Sequence, residues 1–118
     1  MERRKIPSKE RYQIYAKYNG RCAYCGQPIT YKEMQVDHRE PLAKGGADTE
    51  ENYMPACRMC NHYKHTLTVE DFRKQIGLLC DRLRARTYIY NLALRHGRIT
   101  ENCDPVIFYF EKEAPRDN

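Results

Sequence analysis

At 118 residues the chain can hold one compact domain and is too short for two of ordinary size. Hydrophobic residues make up 41% of it, with no Trp, three Phe and ten Tyr, so the core they can build is thin and invites a staple. Its 21 Lys and Arg outnumber its 16 Asp and Glu by five, which excludes an acidic protein and suits a polyanionic partner, although many basic proteins bind no nucleic acid.

Apolar residues recur along the whole chain, which argues against disorder. No stretch approaches the roughly 20 apolar residues of a membrane span, so no membrane partner is expected. Met1-Glu2-Arg3-Arg4-Lys5 has no apolar run behind it, so no secretory signal is expected either, and the expected compartment is the reducing cytoplasm. Six cysteines in that setting point to metal rather than disulfides.

In chain order, Ser8 is the predicted cap of a helix from about Lys9 to Tyr18, closed by Asn19-Gly20, with Tyr12, Tyr15 and Ala16 on its packing face. The Cys22–Cys25 turn follows. Tyr31 to His38 reads as a short strand in which Met34 and Val36 alternate with polar neighbours. Pro41 and Gly45-Gly46 mark an irregular loop, and a second extended piece near Asn52 to Pro55 leads into Cys57–Cys60 and a helical turn. Thr68-Val-Glu-Asp71 resembles a capping box ahead of one amphipathic helix carrying Val69, Phe72, Ile76, Leu79 and Leu83, with Cys80 in the core. A further helix is expected from about Thr87 to Arg95, closed by Gly97. Beyond Pro105, Val106 to Phe110 suits a terminal strand or docking segment. The chain has no internal repeat and no low-complexity linker.

Cys22-x2-Cys25 and Cys57-x2-Cys60 are two CxxC turns. Each such turn points two thiolates at one centre, and two of them complete a tetrahedral zinc site with no position open for water, hence a structural one. The 31 residues between the pairs exceed an ordinary zinc ribbon, so something sizeable is inserted there. A redox CxxC or buried unligated thiols are the rival readings, and a thioredoxin-like motif would have one pair, not two. Cys103 stands alone in a loop and takes no role.

The insertion reads Val36-Asp37-His38-Arg39-Glu40-Pro41-Leu42-Ala43-Lys44-Gly45-Gly46-Ala47-Asp48-Thr49-Glu50-Glu51-Asn52. Asp-His after a strand, then Pro, Gly-Gly and Asn ahead of Cys57-x2-Cys60-Asn61-x2-Lys64 resembles the HNH endonuclease family from about Cys22 to Lys64. The chemistry suits those residue types. Neutral imidazole can take a proton from water, and a divalent ion can neutralise the charge that develops on a phosphodiester.

The resemblance implies an α+β fold: a ββα-metal unit pinned by the four-cysteine zinc and flanked by helices. One nuclease domain would span 1–118, with its core at about 20–66, an N-terminal helix at about 8–19 and a C-terminal helical extension at about 67–118. It also implies that His38 is the general base, Asp37 a ligand of Mg, Mn or Ni, and Asn52 the residue that braces the loop and orients the histidine. Asn61 stands where the family has His or Asn as the second ligand. On a helix Asn61 and His65 share a face, so His65 is the alternative ligand, while His62 points elsewhere and is left as a phosphate contact or a third candidate ligand. A bracing role for His38, or a turn-stabilising one for Asp37, remains the plain alternative.

Arg58, Lys64 and His62 are the expected nucleic-acid contacts. Arg3, Arg4 and Lys5 could fray into a groove or simply be solvated, and Arg82, Arg84 and Arg86 are equally well explained by the helix dipole. The expected function is metal-dependent endonucleolytic cleavage of DNA, with double-stranded DNA as the substrate, in the bacterial or phage setting that the family's small members imply. The rivals are a non-catalytic zinc-knuckle nucleic-acid-binding module and an adaptor with a decayed ββα unit.

Overall fold

The computed structural model describes residues 4–113 and 115; Arg3 of the basic N-terminal cluster lies outside them. Ser8 begins helix α1 (Ser8–Ala16) instead of capping it. The N-cap is Pro7, whose carbonyl accepts from Arg11 N–H at 2.9 Å and whose ring offers no side-chain acceptor. The helix closes as its sequence predicts, with Asn19 and Gly20 both left-handed at φ 63° and 70°. Its buried face is Ile14 and Tyr18, one turn apart, whereas Tyr12 stays 60% exposed. The tyrosine-based face expected from the sequence is therefore displaced. Tyr15 is half-buried, its hydroxyl donating to Ile29 O at 2.8 Å.

A tight turn presents the first cysteine pair. Arg21 bridges to Pro28, Cys22 N–H donates to Gln27 O at 2.9 Å, and Gly26 N–H donates back to Cys22 O at 3.0 Å. Strand β1 covers Gln35–His38, later than expected, because Tyr31–Glu33 are spent on a turn held by Thr30. It pairs antiparallel with β2 (Tyr53–Ala56), with Asp37 opposite Met54 and His38 opposite Tyr53. Two short 3-10 turns, Leu42–Lys44 and Glu50–Asn52, shape the loop between the strands. Helix α2 (Arg58–Lys64) then packs back on β1, completing strand, strand and helix around one small sheet.

Thr68 accepts from Asp71 N–H at 3.1 Å and starts α3 (Val69–Gly77). The single long helix expected here is two. Gly77, the poorest helix former short of Pro, ends α3, and Leu78 turns at φ −93°, ψ −3° before α4 (Leu79–Arg86). Leu79 and Leu83 consequently leave the core and are exposed, and Cys80 is only half-buried. Helix α5 (Tyr88–Arg95) folds back against α4, with Asn91 Nδ2 donating to Arg84 O and Thr87 O, and Gly97 closes it at φ 68°. The terminal apolar run docks and does not form a strand. Tyr109 and Phe110 N–H donate to Tyr24 O and Ala23 O at 3.1 and 2.7 Å, and α6 (Tyr109–Lys112) follows.

This docking completes the core. Phe72 of α3 meets Tyr24 edge-on at 5.4 Å and stacks on Phe108 at 5.2 Å, with Met54, Ala56, Cys22 and Ala23 around them. A smaller cluster of Ile14, Met34 and Tyr53 fixes α1 to the sheet. Phe72 is fully buried between the cysteine turn and the C-terminal segment. Phe72→Ala should therefore cost about 3–5 kcal/mol, whereas Tyr88→Ala, on an exposed helix face, should stay within about 0.5 kcal/mol. Denaturant titration of both variants checks this, and equal losses would contradict the placement of the core.

Candidate active site and four-cysteine cluster

The second cysteine turn begins α2, with Cys57 as N-cap accepting from Cys60 N–H at 3.3 Å. Pairing of β1 with β2 and the bond from Ala23 N–H to Pro55 O bring the first turn beside it. The sulfurs of Cys22, Cys25, Cys57 and Cys60 all lie within 4.8 Å of one another, and Cys25 and Cys57 are 3.8 Å apart. A tetrahedral ion with bonds of about 2.3 Å requires sulfurs about 3.8 Å apart, so the four fit a metal of zinc's size. Three of these thiols do not ionise together unaided. The Cys60 thiol's hydrogen bond draws Cys22 down to about 5, while burial pushes Cys25 up to about 11, and Cys60 is raised because it keeps its proton to donate to Cys22. A cation among them removes that conflict.

Asp37 and His38 close β1, and the strand's end lets both reach one cavity of about 290 Å³ despite their adjacency. Asp37 Oδ2 accepts from the Tyr24 hydroxyl at 2.6 Å and pairs with Lys64 Nζ at 3.0 Å. Burial pushes the Asp37 carboxyl up, against the pull of these two donors. Lys64 also donates to His38 O at 3.0 Å and is wholly buried. It cannot touch a phosphate, contrary to the expectation from sequence, because its ammonium is used up in tying α2 to β1.

His38 is 6% exposed, its Nε2 is 2.9 Å from Asp48 Oδ1, and Tyr53 meets its ring edge-on at 5.3 Å. Asp48 also accepts from the Tyr53 hydroxyl at 2.7 Å and Arg4 N–H at 2.7 Å, and these bonds hold its carboxyl far below the usual range, the Arg4 N–H most of all. Asn52 knits the connecting loop. Its side chain accepts from Glu40 N–H at 2.9 Å and donates to Glu40 O and Ala47 O at 2.8 Å each. Gly46 permits that closure, since a Cβ there would sit 1.8 Å from Glu40 O.

The cavity is lined by Asp37, His38, Pro41, Leu42, Ala43, His65 and Thr66. Helix α2 ends at Lys64, and His65, left-handed at φ 48°, turns into this space. Asn61 lines a neighbouring groove with Gln35, Arg58, Met59 and His62. The shared face expected of Asn61 and His65 is thus split, and His62 joins Asn61 instead of pointing away from it. Arg58 and His62 are exposed. Sequence reasoning missed Tyr24, Asp48 and Tyr53, since an aromatic inside a CxxC turn and an Asp inside a polar loop carry no periodic signal.

A family model described as HNH endonuclease matches residues 22–67, the segment that carries both cysteine turns, the Asp-His strand end and α2. Residues 22–67 are thus similar to the HNH endonuclease family. A CRISPR-associated endonuclease Cas9 of Corynebacterium diphtheriae is 44% identical over 55 residues, 46% of this chain and 5% of the relative. An SPbeta prophage-derived protein of Bacillus subtilis, YoqL, named as an HNH endonuclease, is 32% identical over 63 residues, 47% of this chain and 27% of the relative. The chain thus spans a small part of either relative's length. The crystal structure of the Type II-C Cas9 from Actinomyces naeslundii superposes with a TM-score of 0.54 at 23% identity, over 71% of this chain and 11% of that one, and so shares its fold.

Within the HNH unit the buried Lys64–Asp37 pair makes a stability test. Breaking a buried pair by removing one partner strands the other, so Lys64→Met should cost about 3–5 kcal/mol. Urea unfolding checks it, and a loss below about 0.5 kcal/mol would show the pair to be solvated in solution.

Proposed function

We propose that this chain is a metal-dependent endonuclease that hydrolyses DNA phosphodiester bonds, with residues 1–118 acting as one nuclease domain around a core at about 20–66. The observation that carries the reading is that Asp37 and His38 meet in one cavity of a chain that also gathers four cysteines into one cluster. In this reading His38 takes a proton from water as the water oxygen adds to phosphorus. The P–O bond to the leaving sugar oxygen breaks, and that oxygen takes a proton from solvent. A catalytic Mg, Mn or Ni ion supplies charge neutralisation at the phosphate, and carboxylate, amide and imidazole donors are a suitable set for it. Lys64 and Tyr24 hold Asp37 Oδ2, which leaves Oδ1 as the donor. Asn52 keeps the loop, and with it His38, in place. The ion among the four cysteines is proposed to be zinc, in a structural role.

For the second donor to the catalytic ion we propose Asn61. It lies three residues before Lys64 on α2 and beside Gln35, which alternation places on the same side of β1 as Asp37. His65 is the second reading, favoured by its place in the cavity with Asp37 and His38. Arg58 and His62, exposed on the same helix, would contact the nucleic acid. Among the described residues no helix is long and apolar enough to cross a membrane. The proposed chemistry together with bacterial and prophage relatives supports a cytoplasmic setting in a bacterium or phage, with double-stranded DNA as partner.

Plasmid incubated with the protein and Mg, Mn or Ni should be cut, and His38→Ala should lower the rate about 10²- to 10⁴-fold with binding retained. DNA binding without cleavage in any of these ions would favour the non-catalytic zinc-knuckle module. Asp37→Ala should also lose activity, with partial recovery at high metal that His38→Ala never shows.

Metal titrations separate the two candidate ligands. If Asn61 is the donor, Asn61→Ala raises the Mg or Mn needed for half-maximal cleavage, and Asn61→His is tolerated and favours Ni. A shift in His65→Ala but not in Asn61→Ala would move the ligand to His65.

A further inference from the structure

His38 is held from one side by the carboxylate of Asp48, a residue of the loop between the strands to which the sequence reading gave no role. Asp48 Oδ1 accepts the Tyr53 hydroxyl at 2.7 Å and faces His38 Nε2 at 2.9 Å, while Oδ2 accepts Arg4 N–H at 2.7 Å. Arg4 Nε in turn donates to the Tyr53 oxygen at 3.0 Å. A carboxylate that already accepts from the Tyr53 hydroxyl and the Arg4 N–H is ionised and an acceptor only, so the proton in the His38–Asp48 contact belongs to Nε2. Every buried side-chain nitrogen and oxygen among the described residues has a partner, and the ring's one described hydrogen bond runs through Nε2, so Nδ1 reaches the solvent of the cavity.

We infer that Asp48 is a positioning residue, which fixes His38 as the Nε2–H tautomer and leaves Nδ1 as the atom that takes the proton. The inference rests on the reading of His38 as general base. Asp48 touches neither the phosphate nor the water; it acts through the imidazole, orienting the ring and stabilising the imidazolium formed when the proton arrives. Tyr53 and Arg4 fix Asp48 from behind. The segment ahead of α1 is therefore part of the site's support, although it lies 44 residues from Asp48 in sequence.

Two measurements test this. The first needs no variant: a long-range proton–nitrogen correlation on the zinc-loaded protein, without the catalytic ion, above the ordinary imidazole range. It should show His38 protonated at Nε2, with that proton slow to exchange, and a bare Nδ1. A proton on Nδ1 would overturn the inference.

The second is kinetic. Asp48→Ala should lose the slow Nε2 proton and lower kcat by about 10- to 100-fold with KM unchanged. Asp48→Asn, which keeps the shape but not the charge, should fall between it and the wild type. Unchanged kcat in Asp48→Ala would overturn the inference, and so would an Asp48→Asn variant equal to the wild type. Retained cleavage in His38→Ala would instead sink the base assignment, while the Nε2–H signature would stand as measured.

Discussion

The sulfurs of Cys22, Cys25, Cys57 and Cys60, all within 4.8 Å of one another, close a long stretch of chain on itself. Bringing together ends with 31 residues between them costs about 3 kcal/mol of chain entropy. Two tight turns and a four-residue strand pair offer little to offset it. A zinc ion bound to four thiolates contributes on the order of 10–16 kcal/mol in small zinc domains, which is ample. What the cluster holds is specific: the first turn carries Tyr24 onto Asp37, and the second starts the helix that carries Lys64 to the same oxygen.

The site then follows by short steps. Lys64 pins the end of β1 through Asp37 Oδ2 and the His38 carbonyl, so the strand cannot shift register without stranding a buried ammonium. Asn52 closes the loop after His38, and that loop delivers Asp48 back to the imidazole. The aromatic core serves the same end, since Phe72 and Phe108 from the C-terminal extension brace the ring of Tyr24. The extension beyond the family segment is thus tied into the support of Asp37.

Much of this was legible in the sequence because it rests on spacing. The CxxC pairs, the Asp-His strand end and the Asn ahead of the second pair are local signals, and the resemblance they carry implies the α+β ββα architecture. What stayed hidden depends on contacts between distant residues. Lys64 reads as a surface cation beside a phosphate site, and only the packing of α2 on β1 shows it buried. Asn61 and His65 share a face on an ideal helix, but α2 stops at Lys64 and a left-handed His65 parts them. The break at Gly77 likewise turns one apolar stripe into two helices, leaving Leu79 and Leu83 exposed where periodicity puts them inside.

The account depends on a metal in the four-cysteine cluster, and metal content measured alongside folding tests that most directly. Purified protein should contain about one equivalent of zinc per chain, and a strong chelator should abolish its helical circular dichroism until zinc is returned. A zinc-free protein that keeps its helical signal and melting temperature would contradict the account.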